Sequence, residues 1–304
     1  MPKTCFARFA LLLLAPCFPP GAARADSVYV SDTSRFGVVD LATGSYRQIG
    51  PDFPDPAQGL GYAANGALLT MGFDAALNSI SPSTGVMTRI GPSGLSDCST
   101  PSSPCASNSV NALVTFNGQA YVTDFLNRLY SVNASTGAAR LIGSTGLPAI
   151  PFIPLSENLD GTLNVYDEAL FEANGKLYAT FDAGRLDVAT GEVTPVINGA
   201  LYQIDPATAS STLIGSTVLG IGAAAEVNGT TYAFLNVTHE LATLNLSTGS
   251  TTVFGPFDEA AGVVSAAAPT PEPATTAIAA FGLALLASWG SIRSRLLRRS
   301  GSEG

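Results

Sequence analysis

The feature that most constrains this chain is a dipeptide that returns at near-constant intervals. Asn-Gly occurs at Asn65-Gly66, Asn117-Gly118, Asn174-Gly175 and Asn228-Gly229, with starts 52, 57 and 54 residues apart, each between short apolar runs rich in β-forming residues. Asn-Gly favours the type I′ turn, whose positive φ angles match the twist of the flanking strands, so each copy predicts a tight hairpin. Residues 112–116 would turn into 119–123, and 169–173 into 176–180. A second motif follows: a strand, a turn containing Thr-Gly, and a strand ending in an apolar residue and glycine. It runs from Gly44 to Ile49-Gly50, Gly85 to Ile90-Gly91, Gly137 to Ile142-Gly143 and Gly249 to Phe254-Gly255. A further copy leads to Ile214-Gly215 and has Ala209 in place of the turn glycine.

Two hairpins per repeat make a four-stranded unit. Four antiparallel strands recurring at roughly 40–55 residues are the pattern of a propeller blade, and five copies of the second motif predict an all-β propeller of about five blades over residues 26–268. Residues 27–31 read as the second strand of the first blade, and residues 262–266 would supply its missing innermost strand. Both chain ends would then close the ring and remove exposed sheet edges. A β-solenoid or sandwich is the structural alternative, although the variable repeat length argues against stacked coils of fixed size. Two regions break the period: residues 144–166 read as a long loop, and residues 184–199 insert an extra Asp-Val-Ala-Thr-Gly. The segments Leu201-Tyr-Gln-Ile-Asp-Pro and Leu129-Tyr-Ser-Val-Asn resemble the Leu-Tyr-x-Ile-Asp-Pro-x-Thr-Gly repeats of secreted bacterial propellers, a likeness of fold shared by unrelated functions.

The two ends carry addresses. Lys3 and Arg8 precede an apolar core at residues 9–18, and Ala23-Arg24-Ala25 offers a signal-peptidase site before Asp26, so residues 1–25 read as a cleaved leader. Leu14-Ala15-Pro16-Cys17 is similar to a lipoprotein box, but proline stands where a small residue is expected, and Cys5 and Cys17 leave with the leader. At the other end, Pro271-Glu272-Pro273 is followed by an apolar run at 274–292 and then by Arg293, Arg295, Arg298 and Arg299. At about 1.5 Å per helical residue the run reaches ~28 Å, enough to cross a hydrocarbon core, and the arginines would hold that end in the cytoplasm. Tripeptide, span and basic terminus in this order resemble the PEP-CTERM sorting signal, here residues 269–304. That resemblance implies processing by an exosortase, transient residence in the inner membrane, release to the cell surface or beyond, and an association with exopolysaccharide.

The charge that matters is that of the body. The chain has 23 acids and 14 bases; the leader holds Lys3, Arg8 and Arg24, and the tail holds Glu272, Glu303 and four arginines, which leaves 21 acids facing 7 bases, a net charge of −14 rather than −9. Such a body repels nucleic acid and anionic lipid. Two cysteines remain, Cys98 and Cys105, in a polar, proline-rich loop, where an even pair in an exported chain favours a disulfide over a zinc site.

Catalytic motifs are few. His239 is the only histidine, and no Gly-x-Ser-x-Gly, His-Glu-x-x-His or phosphate-binding glycine loop occurs. Carboxylates act without histidine in glycosidases, and the inner-strand starts offer Glu168 and Glu259, with Asn111 at the position equivalent to Glu168. These three are the expected ligand contacts in the channel. Residues 156–167 resemble the calcium loop of EF-hand-like and dockerin-like modules, with Asn158 and Asp160 third and fifth, Gly161 sixth, Thr162 offering a carbonyl, Asn164 ninth and Asp167 twelfth. Ser156 replaces the usual first aspartate, so any calcium site there is a weak one, and no other cofactor is expected. The sequence therefore points to an exported, non-catalytic binding or structural module with a glycan or matrix partner, and in the second place to a carbohydrate-active hydrolase or lyase using channel carboxylates.

Overall fold

The computed structural model describes residues 27–95, 110–149, 160–258 and 262–269. Cys98, Cys105, Asn158, Glu259, the leader, the Pro271-Glu272-Pro273 motif, the apolar run 274–292 and the four terminal arginines lie outside the described residues. Among the described residues the regular elements are strands, and no helix is long and apolar enough to cross a membrane.

The strands form five four-stranded antiparallel blades. Blade 1 contains β1 (Ser27–Asp32), β2 (Arg35–Asp40) and β3 (Tyr46–Gln48). Blade 2 is β4 (Ala57–Tyr62), β5 (Leu68–Gly72), β6 (Ala76–Ile80) and β7 (Met87–Pro92). Blade 3 is β8 (Val110–Phe116), β9 (Gln119–Asp124), β10 (Arg128–Val132) and β11 (Ala139–Ser144). Blade 4 is β12 (Thr162–Ala173), β13 (Lys176–Asp187), β14 (Val193–Ile204) and β15 (Ser211–Ser216). Blade 5 is β16 (Ile221–Val227), β17 (Thr230–Leu235), β18 (Glu240–Leu244) and β19 (Thr251–Pro256). The last strand, β20 (Ser265–Ala267), pairs with β1, Tyr29 opposite Ala267 and Ser31 opposite Ser265, and completes blade 1 from the other end of the chain. Closure by both termini is as the repeat count required. The closing strand lies slightly later than residues 262–266, because Gly262 takes a positive φ of 81° and residues 262–264 lead into the strand.

The core is divided into five wedges, one between each pair of neighbouring blades. Val28, Val30 and Val39 of blade 1 meet Phe234 and Leu241 of blade 5, for example, and Leu129 of blade 3 meets Leu177 and Ile204 of blade 4. A blade flanked on both sides buries both faces of its inner strands, which explains why β1 and β5 are buried at every residue instead of alternating. Outermost strands such as β11 and β15 keep an exposed rim.

Three of the four Asn-Gly pairs form the predicted turn with both residues at positive φ: Asn117 and Gly118 (50° and 74°), Asn174 and Gly175 (50° and 65°), and Asn228 and Gly229 (52° and 78°). The first differs. Ala63 N–H donates to the Ala67 carbonyl across Ala64, Asn65 and Gly66, and only the glycine has a positive φ, so this is a three-residue loop. The irregular regions also resolve differently from the sequence expectation. Residues 162–166 are strand, not loop, and the extra Asp187-Val-Ala-Thr-Gly191 lengthens blade 4: β12, β13 and β14 each run 12 residues, and the insertion forms their β13–β14 turn.

Candidate functional site

The innermost strands β4, β8, β12, β16 and β20 surround a central channel with two unlike ends. Alternation along β12 decides what happens at the strand-start end. Even-numbered residues face blade 3 and odd-numbered ones face blade 5, as Leu170 and Phe171 show by joining different wedges. Tyr166 and Glu168 therefore meet blade 3. The Thr123 hydroxyl donates to Glu168 Oε1 at 2.8 Å, the Asn111 amide donates to Glu168 Oε2, and the Tyr166 hydroxyl donates to Asn111 Oδ1. The structure thus brings together Asn111 and Glu168, as their equivalent positions suggested, but as a buried tie between blades. Burial pushes the Glu168 carboxyl up to about 7, with the Asp124 charge adding to the rise and the bonds from Thr123 and Asn111 opposing it.

Asp167 projects to the other side. Asn236 of β17's following turn donates from Nδ2 to Asp167 Oδ1 at 3.2 Å and accepts at Oδ1 from Val263 N–H at 2.9 Å, so one amide joins blade 4, blade 5 and the closing segment. Asp167 lies directly across the ladder from Asp182, whose Oδ2 accepts from Gly220 N–H at 2.9 Å. Two carboxylates at one cross-strand position disfavour joint ionisation. Burial raises both, and the Asp167 charge helps to carry Asp182 to about 8.

Midway along the channel Gly59, Ala112, Ala169, Gly222, Ala223 and Ser265 approach so closely that only about 10 Å³ is left. Beyond this neck, at the hairpin end, the channel widens into a cavity of about 380 Å³. All five inner strands contribute to its wall, through residues such as Tyr62, Val114, Phe171, Ala225 and Ala267, and the Asn-Gly turns of blades 3 and 4 form part of its rim. Two carboxylates line it, Glu172 and Glu226, and no Lys, Arg or His does. Each ties a neighbouring hairpin: Glu226 Oε2 accepts from Asn174 N–H, and Glu172 from Asn117 N–H. Partial burial raises the Glu172 carboxyl, the Glu226 charge raises it further, and the Asn117 bond works against both. The volume lies within the ~300–1,000 Å³ usual for small-molecule sites.

Of the calcium-loop residues, Asp160 accepts at Oδ1 from Thr162 N–H at 3.1 Å and from the Thr162 hydroxyl at 2.7 Å, a local turn that holds its carboxyl below the ordinary range. Thr162, Asn164 and Asp167 stand on β12, whose pairing with β13 runs unbroken from Thr162 to Ala173. An extended strand sends Asn164 and Asp167 to opposite faces, so over its described part the segment does not wrap around a common point. Among the described residues no group of three acidic, histidine or cysteine side chains converges as a metal site would. His239 occupies a positive-φ position (53°) in the β17–β18 turn, with its ring 5.9 Å from that of Phe257.

Sequence reasoning missed the cavity's Glu172 and Glu226, Tyr62, and the placing of Asp182 and Asn236 beside Asp167. A signal for the glutamates was present: Glu172 and Glu226 each stand two residues before an Asn-Gly pair. Nothing in the sequence marked Tyr62 or placed Asp182 opposite Asp167.

No family model matches the chain, and a search of curated proteins finds no match. Among solved structures, a chain of a nidogen–laminin complex aligns over 79% of this chain and 97% of its own length, at 11% identity and a TM-score of 0.44. A Bacteroides thetaiotaomicron protein of unknown function aligns over 76% of this chain and 56% of its own, at 13% identity and a TM-score of 0.44. PorZ, a surface component of the type-IX secretion system of Porphyromonas gingivalis, aligns over 77% of this chain but 25% of its own, at 15% identity and a TM-score of 0.36.

Proposed function

We propose that this chain is exported, sorted to the cell envelope or extracellular matrix, and acts there as a non-catalytic binding module for a glycan or matrix partner. The resemblance of the Pro271-Glu272-Pro273 tail to an exosortase signal supports the export route: signal peptidase removes the leader, residues 274–292 hold the chain in the inner membrane, and exosortase processing releases it. The observation that carries the binding role is the condition of Glu168, whose two oxygens already accept hydrogen bonds from Thr123 and Asn111 while a separate cavity opens at the far end of the channel. A glycosidase acid must reach the scissile bond with an oxygen of its own, and Glu168 is wedged between blades.

The competing role is a carbohydrate-active hydrolase or lyase using Glu168 and Glu259. Incubating the full chain with polysaccharides, beside its Glu168→Gln and Glu259→Gln variants, distinguishes them: binding without turnover is expected, and turnover that either variant abolishes would establish the enzyme instead. For the sorting route, intact mass of surface material should lack the segment bearing Trp289. Its retention would overturn that route.

A further inference from the structure

Resting on the binding role just proposed, we infer that the hairpin-end cavity takes an amine-bearing sugar, its protonated amino group seated between Glu172 and Glu226. The cavity itself is the first ground. It sits on the propeller axis, draws on all five inner strands, and is closed at its base by a neck too narrow for anything larger than water. A ligand entering from the hairpin face therefore stops there and does not thread the ring.

The second ground is the chemistry of the wall. Its ionisable lining is two glutamates, with no Lys, Arg or His among the residues that form the wall. Burial is the main cause of the raised Glu172 carboxyl, and the Glu226 charge adds to it. Each glutamate gives one acceptor to a hairpin N–H, and a carboxylate has acceptor capacity beyond one bond. An ammonium group with three donors and one positive charge fills that remaining capacity and relieves the repulsion. An anionic sugar meets only repulsion there, and a neutral one leaves the charge pair as it was.

The third ground is the remaining surface. Tyr62 and Ala266 are half-buried at the wall, and the more deeply buried Leu60, Val114, Phe171 and Ala224 complete its apolar part. A saturated ring with C–H faces packs on such a wall, whereas a long flexible aliphatic amine loses more conformational entropy for the same contact.

Calorimetry with the full chain near pH 6 tests this with three tetrasaccharides of similar size: glucosamine, N-acetylglucosamine and glucose. Affinity for the glucosamine oligomer is expected to exceed the other two by about tenfold, as befits one partly desolvated charge pair, and to fall with added salt. Glu172→Gln and Glu226→Gln should each remove most of that preference without lowering the melting temperature, because a glutamine carbonyl still accepts the hairpin N–H. Equal or tighter binding of the acetylated or glucose oligomer overturns the amine assignment and leaves the glycan role standing. Absence of binding by all three removes both. Cadaverine serves as a sugar-free amine, and its binding as tightly as the glucosamine oligomer would show that the sugar ring contributes nothing, which also overturns the assignment.

Discussion

Individual side chains in this propeller are placed by the blades on either side of them, and their ionisation follows. Glu168 rises from the ordinary 4.5 to about 7 because it is buried between β8 and β12. Below pH 4.5 the group is protonated in folded and unfolded chains alike. Between 4.5 and about 7 the unfolded chain ionises while the folded one holds its proton, so stability is lost as pH rises, by about 3 kcal/mol for this group in total. Asp182 acts in the same direction up to about 8, and Asp167 also shifts upward. The melting temperature should therefore be higher at pH 5 than at pH 8, and Glu168→Gln should flatten the profile by stabilising the protein at the alkaline end. A chain that melts higher at pH 8, or a variant with unchanged slope, would contradict the burial of Glu168. Asp124 is held by an ion pair and a set of hydrogen bonds. Fully buried, it accepts from Leu126 N–H, from Arg128 N–H and Nε, and from the Tyr130 hydroxyl, and pairs with Arg128 at 2.6 Å. Asp124→Ala takes the acceptor from the Leu126 and Arg128 N–H groups and the Tyr130 hydroxyl, while the part-exposed Arg128 side chain turns to water, and chemical denaturation should show a loss on the order of 3 kcal/mol.

At the scale of elements, the two recurring glycines of the second motif turn out to lock neighbouring blades. A Cβ on Gly85 would stand 1.8 Å from the Ile49 carbonyl oxygen, and one on Gly215 would stand 2.0 Å from that of Thr248. The apolar-glycine end of one blade thus sits on the Thr-Gly turn of the next, around the rim from blade 1 to blade 5. Where Ala209 replaces the turn glycine the approach is looser: a Cβ on its partner Gly143 would stand 3.0 Å from the Thr208 oxygen and 3.4 Å from the Ala209 methyl. Gly85→Ala should cost about 3 kcal/mol or more, combining a left-handed φ of 68° with direct overlap. Gly229→Ala has a similar φ of 78° and nothing within 4 Å, so only the conformational part, about 1–2 kcal/mol, should appear. Equal losses in the two variants, measured by denaturant titration, would mean that the rim contacts contribute nothing.

For the molecule as a whole, ring closure depends on a three-residue strand and a few polar contacts. β20 pairs with β1, the Ser31 and Ser265 hydroxyls meet at 2.5 Å, and Val263 N–H is held by Asn236. A chain ended after Asp258 loses all of these, exposes the inner edge of β1 and uncovers the wedge containing Val28, Phe234 and Val263. Its melting temperature should fall on the order of 10 °C, with aggregation through the open edge. A truncated chain that melts like the intact one would mean that the ends do not share a blade.

The repeat in the sequence was sufficient to determine the blade, the number of blades and the sharing of blade 1 by both ends, because hairpin turns and strand alternation are local and each copy reports independently on the same unit. It also marked Asn111 and Glu168 as equivalent positions. What the sequence left undecided is where these residues point and what they meet. β12 begins at Thr162 because β13 continues far enough to pair with it, and this drew Asn164 and Asp167 out of the expected loop into a strand. The open end of the channel was likewise invisible, since it depends on how small residues such as Gly59, Ala112 and Gly222 close the middle when five blades converge. Glu172 and Glu226, 54 residues apart in the chain, become one acidic wall only when blades 4 and 5 stand side by side. Strand identity is a property of neighbours in sequence, whereas burial, charge proximity and cavity shape are properties of neighbours in space.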